Sequence, residues 1–386
     1  MSEDLTFYRD TWAEINLDAI EYNVKSMIQH LGRDGKVIAV VKANAYGHGD
    51  YEVAETAIKA GADMLAVAFV DEGIALRKKG MRSPILVLGA SRPEDVQISI
   101  DYDLTLTAVS LDWVMQAEKY AADGELAFHI KLDTGMGRLG ITKREELEAV
   151  IEFACTSAHL KLGGIFTHFA TADELDSDYA EYQFAAFEKL IDGIAYPEWM
   201  IHCANSAAGL RFPGRIFNTV RLGISMYGLA PSMELKENLP YPLEEALSLH
   251  TKLVHVKKIA KGEKVSYGAA YTAEEDEWIG TLPVGYADGW IRRLKDSEVL
   301  ADGMRVPIVG RICMDQCMIR LPRKMPIGTQ VTLIGRQSEE YIPIDEIAGR
   351  LETINYEVPC ILSARVPRMF LRNKSIMEVR NPIIQS

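Results

Sequence analysis

The apolar positions of this chain fall into two textures. Up to about residue 240 they come as short continuous runs, set between segments in which apolar residues recur every three or four positions. The runs are Val37–Lys42, Met64–Phe69, Pro84–Gly89, Leu104–Ala108, Leu126–Leu132, Leu162–Phe169, Met200–Ala204 and Asn218–Leu222. Runs of this length predict strands buried on both faces, as in a parallel sheet. Helical spacing fills most of the intervals. Asp18 is placed as an N-cap ahead of Ile20, Val24, Met27, Ile28 and Leu31, and Asp50 opens a helix whose face carries Val53, Ala54, Ala57 and Ile58. Helices are also predicted over Asp71–Lys79, ended by Gly80, over Glu145–Cys155 and over Asp178–Ile194. A short extra strand is predicted at Thr11–Leu17. Eight buried strands alternating with helices over roughly 230 residues predict a (β/α)8 TIM barrel in the α/β class. A doubly wound sheet rarely needs eight repeats and usually opens with a glycine-rich turn. Here Asn44–Gly49 holds only Gly47 and Gly49.

Past Pro231 the pattern changes. Leu239-Pro240-Tyr241-Pro242 breaks any continuing element and marks a boundary. Beyond it, alternation dominates, as in Leu253-Val254-His255-Val256 and Val306-Pro307-Ile308-Val309. Glycine turns such as Lys261-Gly262-Glu263 and Pro326-Ile327-Gly328 separate the runs. The prediction is a barrel over residues 1–243 and a mostly antiparallel β domain over 244–386, with one helix near Ile344–Leu351.

Composition narrows the partners. Apolar content of 48% and charged content of 25% suit a globular protein, and a net charge of −13 argues against nucleic acid. The acidic start Met1-Ser2-Glu3-Asp4-Leu5 lacks the features of a signal peptide, and no run of 18 apolar residues predicts a membrane span. The five scattered cysteines suit reduced thiols in a cytoplasmic protein. Cys313 and Cys317 have no second pair and no nearby histidine, so no metal site is expected.

Polar residues collect at the C-terminal ends of the strands, where barrels build their sites. Lys42 follows strand one, and Arg138 lies in the loop Asp133-Thr134-Gly135-Met136-Gly137 after strand five. His168 ends strand six, His202, Asn205 and Ser206 end strand seven, and Arg221, Gly223 and Ile224 end strand eight. Each has an ordinary alternative. Lys42 could run its stem along the sheet edge to water, Arg138 could be a surface charge, His202 a satisfied core histidine, and Asn205-Ser206 a helix cap. Together they suggest more. A lysine desolvated at a strand end can present a neutral amine to a carbonyl, and Ser206 with the Gly223-Ile224 backbone matches the phosphate site common after barrel strands seven and eight. A phosphorylated aldehyde held through a lysine describes pyridoxal 5'-phosphate.

At this point the sequence resembles the alanine racemase family over essentially its whole length. The resemblance rests on Ala39-Val40-Val41-Lys42-Ala43-Asn44-Ala45-Tyr46-Gly47-His48-Gly49, Lys131-Leu132-Asp133-Thr134-Gly135-Met136-Gly137-Arg138-Leu139-Gly140 and His202-Cys203-Ala204-Asn205-Ser206. It continues through Val265-Ser266-Tyr267-Gly268, Gly285-Tyr286-Ala287-Asp288-Gly289 and Gly310-Arg311-Ile312-Cys313-Met314-Asp315. The resemblance implies interconversion of L-alanine and D-alanine on pyridoxal 5'-phosphate, supplying D-alanine for peptidoglycan. Lys42 would carry the cofactor and take the α-proton of D-alanine, and Tyr267 that of L-alanine on the opposite face. Arg221 would face the pyridine nitrogen, with His168 and His202 supporting it. Tyr46, Ser206, Gly223, Ile224 and Tyr356 would hold the phosphate, and Asn205 also belongs to the cofactor shell. Arg138 and Met314 would contact the substrate carboxylate. The lysine matching Lys131 is carbamylated in several members of the family, which would make it an anchor for Arg138. A head-to-tail homodimer is implied, with Tyr267, Met314 and Tyr286 supplied by the partner.

Three rivals are expected to differ in readable ways. A barrel-type pyridoxal-phosphate decarboxylase would place a carboxylate where Arg221 stands, and a non-catalytic cofactor carrier would need no second base. A racemase of broader specificity would share the same residues.

Overall fold

The computed structural model describes residues 7–194 and 198–385, so the acidic start of the chain lies outside the described residues. They form two compact units: Ala19–Ala45 with Gly49–Glu244, and Met1–Asp18 with Tyr46–His48 and Glu245–Ser386.

The first unit is the barrel. Its strands are Lys36–Val40, Met64–Val67, Ile85–Val87, Leu104–Ala108, Leu126–Lys131, Leu160–Phe166, Met200–His202 and Thr219–Leu222. Each pairs in parallel with its sequence neighbour, and the eighth returns to the first with Ile38 opposite Arg221. The circle closes through a parallel bridge between Ala204 and Val220, where the Arg221 N–H donates to the Ala204 carbonyl at 3.0 Å. The strands are buried almost throughout because one face looks into the barrel and the other meets the helices.

The second unit is a sheet of eleven strands. Pairing is antiparallel except at one place. The N-terminal strand Thr11–Asn16 lies between Leu247–Lys252, antiparallel, and Arg368–Arg372, parallel, with Ala13 opposite Arg368. A domain running from residue 1 was expected, yet this first strand joins the sheet of the other unit. Its apolar pattern fixes a strand but carries nothing about its partner, which lies far along the chain. Ile259, Val265, Ala273, Ile279 and Val309 form one core of this unit.

Two local expectations change. The helix expected behind Asp18 spans Leu17–Leu31, and the Asn16 side chain accepts from the Asp18 N–H at 3.0 Å, so the cap is Asn16. Ile344–Leu351 is joined by a second short helix, Glu357–Cys360.

Candidate active site

The first strand stops at Val40, and Lys42 opens a tight turn rather than ending the strand. Ala43, Asn44, Ala45 and Tyr46 all have positive φ, between 51° and 54°. The Ala45 N–H donates to the Val41 carbonyl at 2.9 Å and the Gly49 N–H to the Asn44 carbonyl at 2.9 Å. The Asn44 side chain accepts from the Asp50 N–H at 3.0 Å, tying the turn to the helix that follows. Lys42 is half-buried.

Arg221, on the eighth strand, is the buried hub. One terminal nitrogen donates to the Nδ1 of His202 and to the His202 carbonyl, both at 2.9 Å. The other donates to the Thr167 and Cys203 carbonyls at 2.8 and 3.2 Å and lies 3.0 Å from the Nδ1 of His168. An arginine can only donate, so both rings must accept at Nδ1 and carry their hydrogen on Nε2. The His202 Nε2 then donates to the Nδ1 of His129 at 2.9 Å. All three rings are neutral acceptors in this chain. Burial pushes His129 down to about 3. Burial, with Arg221 next in weight, pushes His168 and His202 well below the ordinary histidine value. Burial also draws Arg221 down to about 10, which leaves it charged near neutrality.

Lys131 is only 4% exposed, and its amine donates to the Leu132 carbonyl at 2.8 Å and lies 5.3 Å from the centre of the Phe166 ring. Burial first, then the nearby Arg221 and Arg138 guanidinium groups against the pull of Asp133, bring its ammonium down to about 7. Arg138 is exposed in a loop whose form Asp133 sets by accepting from the Gly135 and Gly137 N–H groups at 3.0 Å. Gly140, at φ 121°, packs where a Cβ would stand 2.7 Å from the Lys131 carbonyl. That close approach explains the glycine.

After the seventh strand, Asn205 caps the helix Ser206–Arg211 by accepting from the Ala208 N–H at 3.0 Å. The buried Ser206 hydroxyl accepts from the Gly223 N–H at 2.9 Å, so two strand ends meet there. Ile224 opens the one-turn helix Ile224–Tyr227, beside the helix start at Ser206. Two adjoining helix N-termini with a serine hydroxyl are the kind of arrangement that can hold a phosphate.

The barrel unit therefore brings together Lys42, Lys131, Arg138, His168, His202, Asn205, Ser206, Arg221, Gly223 and Ile224. The second unit holds Tyr46, Tyr267, Tyr286, Met314 and Tyr356. Within it, the Tyr46 and Tyr356 ring centres are 6.3 Å apart. Gly285 has no room for a side chain, since a Cβ would stand 2.3 Å from the Cys313 carbonyl. The Tyr286 N–H donates to that carbonyl at 3.0 Å and the Ala287 N–H to the Met314 carbonyl at 3.1 Å, which locks these two loops together. Tyr267 follows Ser266, whose φ is 73° and whose hydroxyl bridges the Arg311 N–H and carbonyl at 3.0 and 2.7 Å. Tyr267 is 71% exposed within the single chain.

Three contributors escape a reading of the sequence. His129 shares strand parity with Lys131, yet nothing local says that it meets His202. Gln183, fully buried, holds the loop after strand six by accepting from the Ala170 N–H at 2.8 Å and donating to the His168 carbonyl at 3.2 Å. Glu72 grips the peptide that follows Lys42, with its oxygen 2.6 Å from the Ala43 nitrogen.

The chain matches two sequence families, the alanine racemase N-terminal domain over residues 15–231 and the alanine racemase C-terminal domain over residues 246–370. It is 58% identical to the alanine racemase of Geobacillus stearothermophilus, covering 98% of this chain and 97% of the relative. The crystal structure of an alanine racemase from Bacillus anthracis with bound L-Ala-P superposes with a TM-score of 0.94 at 48% identity, over 98% of this chain and all of that one. A histidine racemase from Leuconostoc mesenteroides has the same architecture, with a TM-score of 0.90 at 32% identity over 95% of this chain and 99% of its own.

Proposed function

Because the chain belongs to the alanine racemase family, we propose that its barrel mouth binds pyridoxal 5'-phosphate through Lys42 and that Lys42 and Tyr267 exchange the α-proton of alanine. The activity is that of a racemase interconverting L- and D-alanine. When bound, the cofactor acidifies the α-carbon of the amino acid it carries.

The observation that carries the cofactor assignment is Arg221. It is a buried cation whose two terminal nitrogens meet only backbone carbonyls and neutral histidines, so its charge meets no carboxylate among the described residues. Such a site favours an electron-rich, anionic guest. The Ser206 hydroxyl with the Gly223-Ile224 backbone fits its phosphate, and Tyr46 and Tyr356 are assigned to the same end. Arg221, which cannot accept a proton, would keep the pyridine nitrogen unprotonated, and His168 and His202 hold that guanidinium in place. A decarboxylase of the same build would be expected to carry a carboxylate at this position.

Lys42 and Tyr267 must each hold or release one proton on opposite faces of the α-carbon. Arg138 and Met314 are assigned to the substrate carboxylate. Lys131 is assigned as a carbamate, because its lowered pKa gives a neutral amine able to take up carbon dioxide near pH 8. Native mass spectrometry should show the added carbon dioxide. The protein is read as a homodimer in which Tyr267, Tyr286 and Met314 complete the partner's site. The exposure of Tyr267 and Met314 in the single chain supports that arrangement. Membership of the alanine racemase family supports a cytoplasmic enzyme feeding peptidoglycan synthesis, and the five free thiols suit that compartment.

The test is direct. Incubation with L-alanine followed by chiral chromatography should yield equal amounts of the two enantiomers with no carbon dioxide. Borohydride reduction and peptide mapping should put the pyridoxyl group on Lys42. Label on another lysine, or carbon dioxide release, would overturn the reading. Histidine and serine belong in the same assay, since a histidine racemase shares this architecture.

A further inference from the structure

The turn behind Lys42 is costly by itself. Four successive non-glycine residues hold left-handed dihedrals that L-amino acids avoid, and they follow directly on the lysine assigned to the chemistry. A segment of this kind persists only where its surroundings fix it. Inside the barrel unit, Glu72 does so. It stands in the first turn of the helix Val70–Lys78, three residues after Phe69. A glutamate at that place ordinarily caps its own helix by accepting from the N-cap N–H. Glu72 does this only weakly, with one oxygen 3.4 Å from the Phe69 nitrogen, and the same oxygen takes the Ala68 N–H at 2.7 Å. Phe69 has no acceptor to return, so the usual reciprocal cap is not made. The second oxygen leaves the helix altogether and takes the Ala43 N–H at 2.6 Å. That N–H belongs to the peptide bond joining Lys42 to Ala43. One carboxylate thus joins the turn after the first strand to the end of the second, and its short bond falls at the first left-handed residue.

We propose that Glu72 is a positioning residue for Lys42, its carboxylate pinning the Lys42–Ala43 peptide so that the strained turn delivers the lysine amine to one fixed place at the barrel mouth. The inference rests on the reading of Lys42 as the cofactor-bearing base. Holding the amine in register matters because a displacement of about 1 Å at a reacting group costs about a hundredfold in rate.

Glu72→Gln tests it with little change of shape. The amide keeps one acceptor oxygen, which can serve Ala68 and Phe69, and turns an N–H toward the Ala43 N–H. Glu72→Asp keeps the charge but is one methylene too short to span both loops, and it stands in should the amide variant fold poorly. Two measurements on the holoenzyme decide. Amide hydrogen exchange read by mass spectrometry should quicken over residues 41–49 and stay unchanged in the Val70–Lys78 helix. Racemisation should fall about ten- to a hundredfold, equally in both directions because the equilibrium is fixed. The α-deuterium isotope effects should move apart. With D-alanine, where Lys42 removes the proton, the effect on kcat/KM should rise. With L-alanine, where Lys42 delivers the last proton, it should shrink. A merely structural loss would lower the active fraction and move neither effect. Isotope effects that stay at the wild-type values overturn the assignment, whether or not exchange quickens. A wild-type protein that carries no cofactor on Lys42 overturns instead the reading beneath it.

Discussion

Arg221 shows how one residue's donor-only chemistry can set the state of its neighbours. Because it offers hydrogens to the Nδ1 atoms of His168 and His202, neither ring can take a proton there without losing its bond. His202 passes the same demand to His129, whose pKa is drawn to about 3 by burial. The folded rings therefore hold fewer protons than the unfolded ones, whose ordinary value is about 6.5. Stability is fully present above that value and falls as the pH drops toward about 3, because the unfolded chain binds more protons across that window. His129→Asn keeps an acceptor near the Nδ1 position and removes the titration. We expect its stability curve between pH 6 and pH 4 to be shallower by about 1.4 kcal/mol per pH unit, the weight of one proton. Urea unfolding at a series of pH values checks this, and an unchanged slope would mean that the folded ring titrates normally. Lys131 works in the opposite pH range. Its folded value of about 7 lies below the ordinary lysine value, so its contribution to stability grows as the pH rises through that interval. Carbamylation would replace that titration with a fixed negative charge.

Among elements, the turn from Lys42 to Gly49 shows why part of the site could not be read from the chain. The strand before it announces itself through Val37, Ile38, Ala39, Val40 and Val41, because burial on both faces demands apolar side chains. The turn does not. Lys42-Ala43-Asn44-Ala45-Tyr46 contains no glycine, and its alanines favour right-handed helix. Its handedness comes from outside, from Glu72 at one end and, within the second unit, from contacts to Gly47. There Arg368, buried and drawn down to about 10 by that burial, gives its donors to four backbone carbonyls, those of Gly47, Ser363, Val366 and Leu362, at 2.6–3.0 Å. Gly47 has φ 81°, and a Cβ on it would stand 2.0 Å from the Pro359 carbonyl. A side chain is excluded twice over, by the dihedral and by the space. Gly47→Ala should cost about 3 kcal/mol or more of stability, seen as a lowered thermal midpoint, since backbone rather than a flexible side chain must give way. A variant as stable as wild type would show that the turn can relax. The buried strand runs and the cap at Asn205-Ser206 were legible because they depend on neighbouring residues. The joining of Thr11–Asn16 to Arg368–Arg372, and of His129 to His202, depends on residues distant in sequence and left no local mark.

At the scale of the whole molecule, the change of texture near Pro240 and Pro242 agrees with the division between Glu244 and Glu245, while the N-terminal strand departs from it. Lys42 lies in the barrel unit and Tyr267 in the other. If the enzyme is the head-to-tail dimer proposed above, each site takes Lys42 from one chain and Tyr267 from its partner, and twofold symmetry makes the two sites equivalent. Complementation between dead variants reads this arrangement without a structure of the dimer. Lys42→Ala and Tyr267→Ala chains should each be inactive alone. Mixed and allowed to exchange subunits, about half the dimers hold one chain of each kind. Every mixed dimer then has one site lacking both residues and one site lacking neither. Activity should recover to about a quarter of the wild-type value, because half the dimers carry half their sites intact. Were both residues drawn from the same chain, every site in a mixed dimer would lack one of them. Activity that stays at the level of the separate variants, with exchange confirmed by mass, would rule out the shared site and leave Tyr267 to serve the barrel of its own chain.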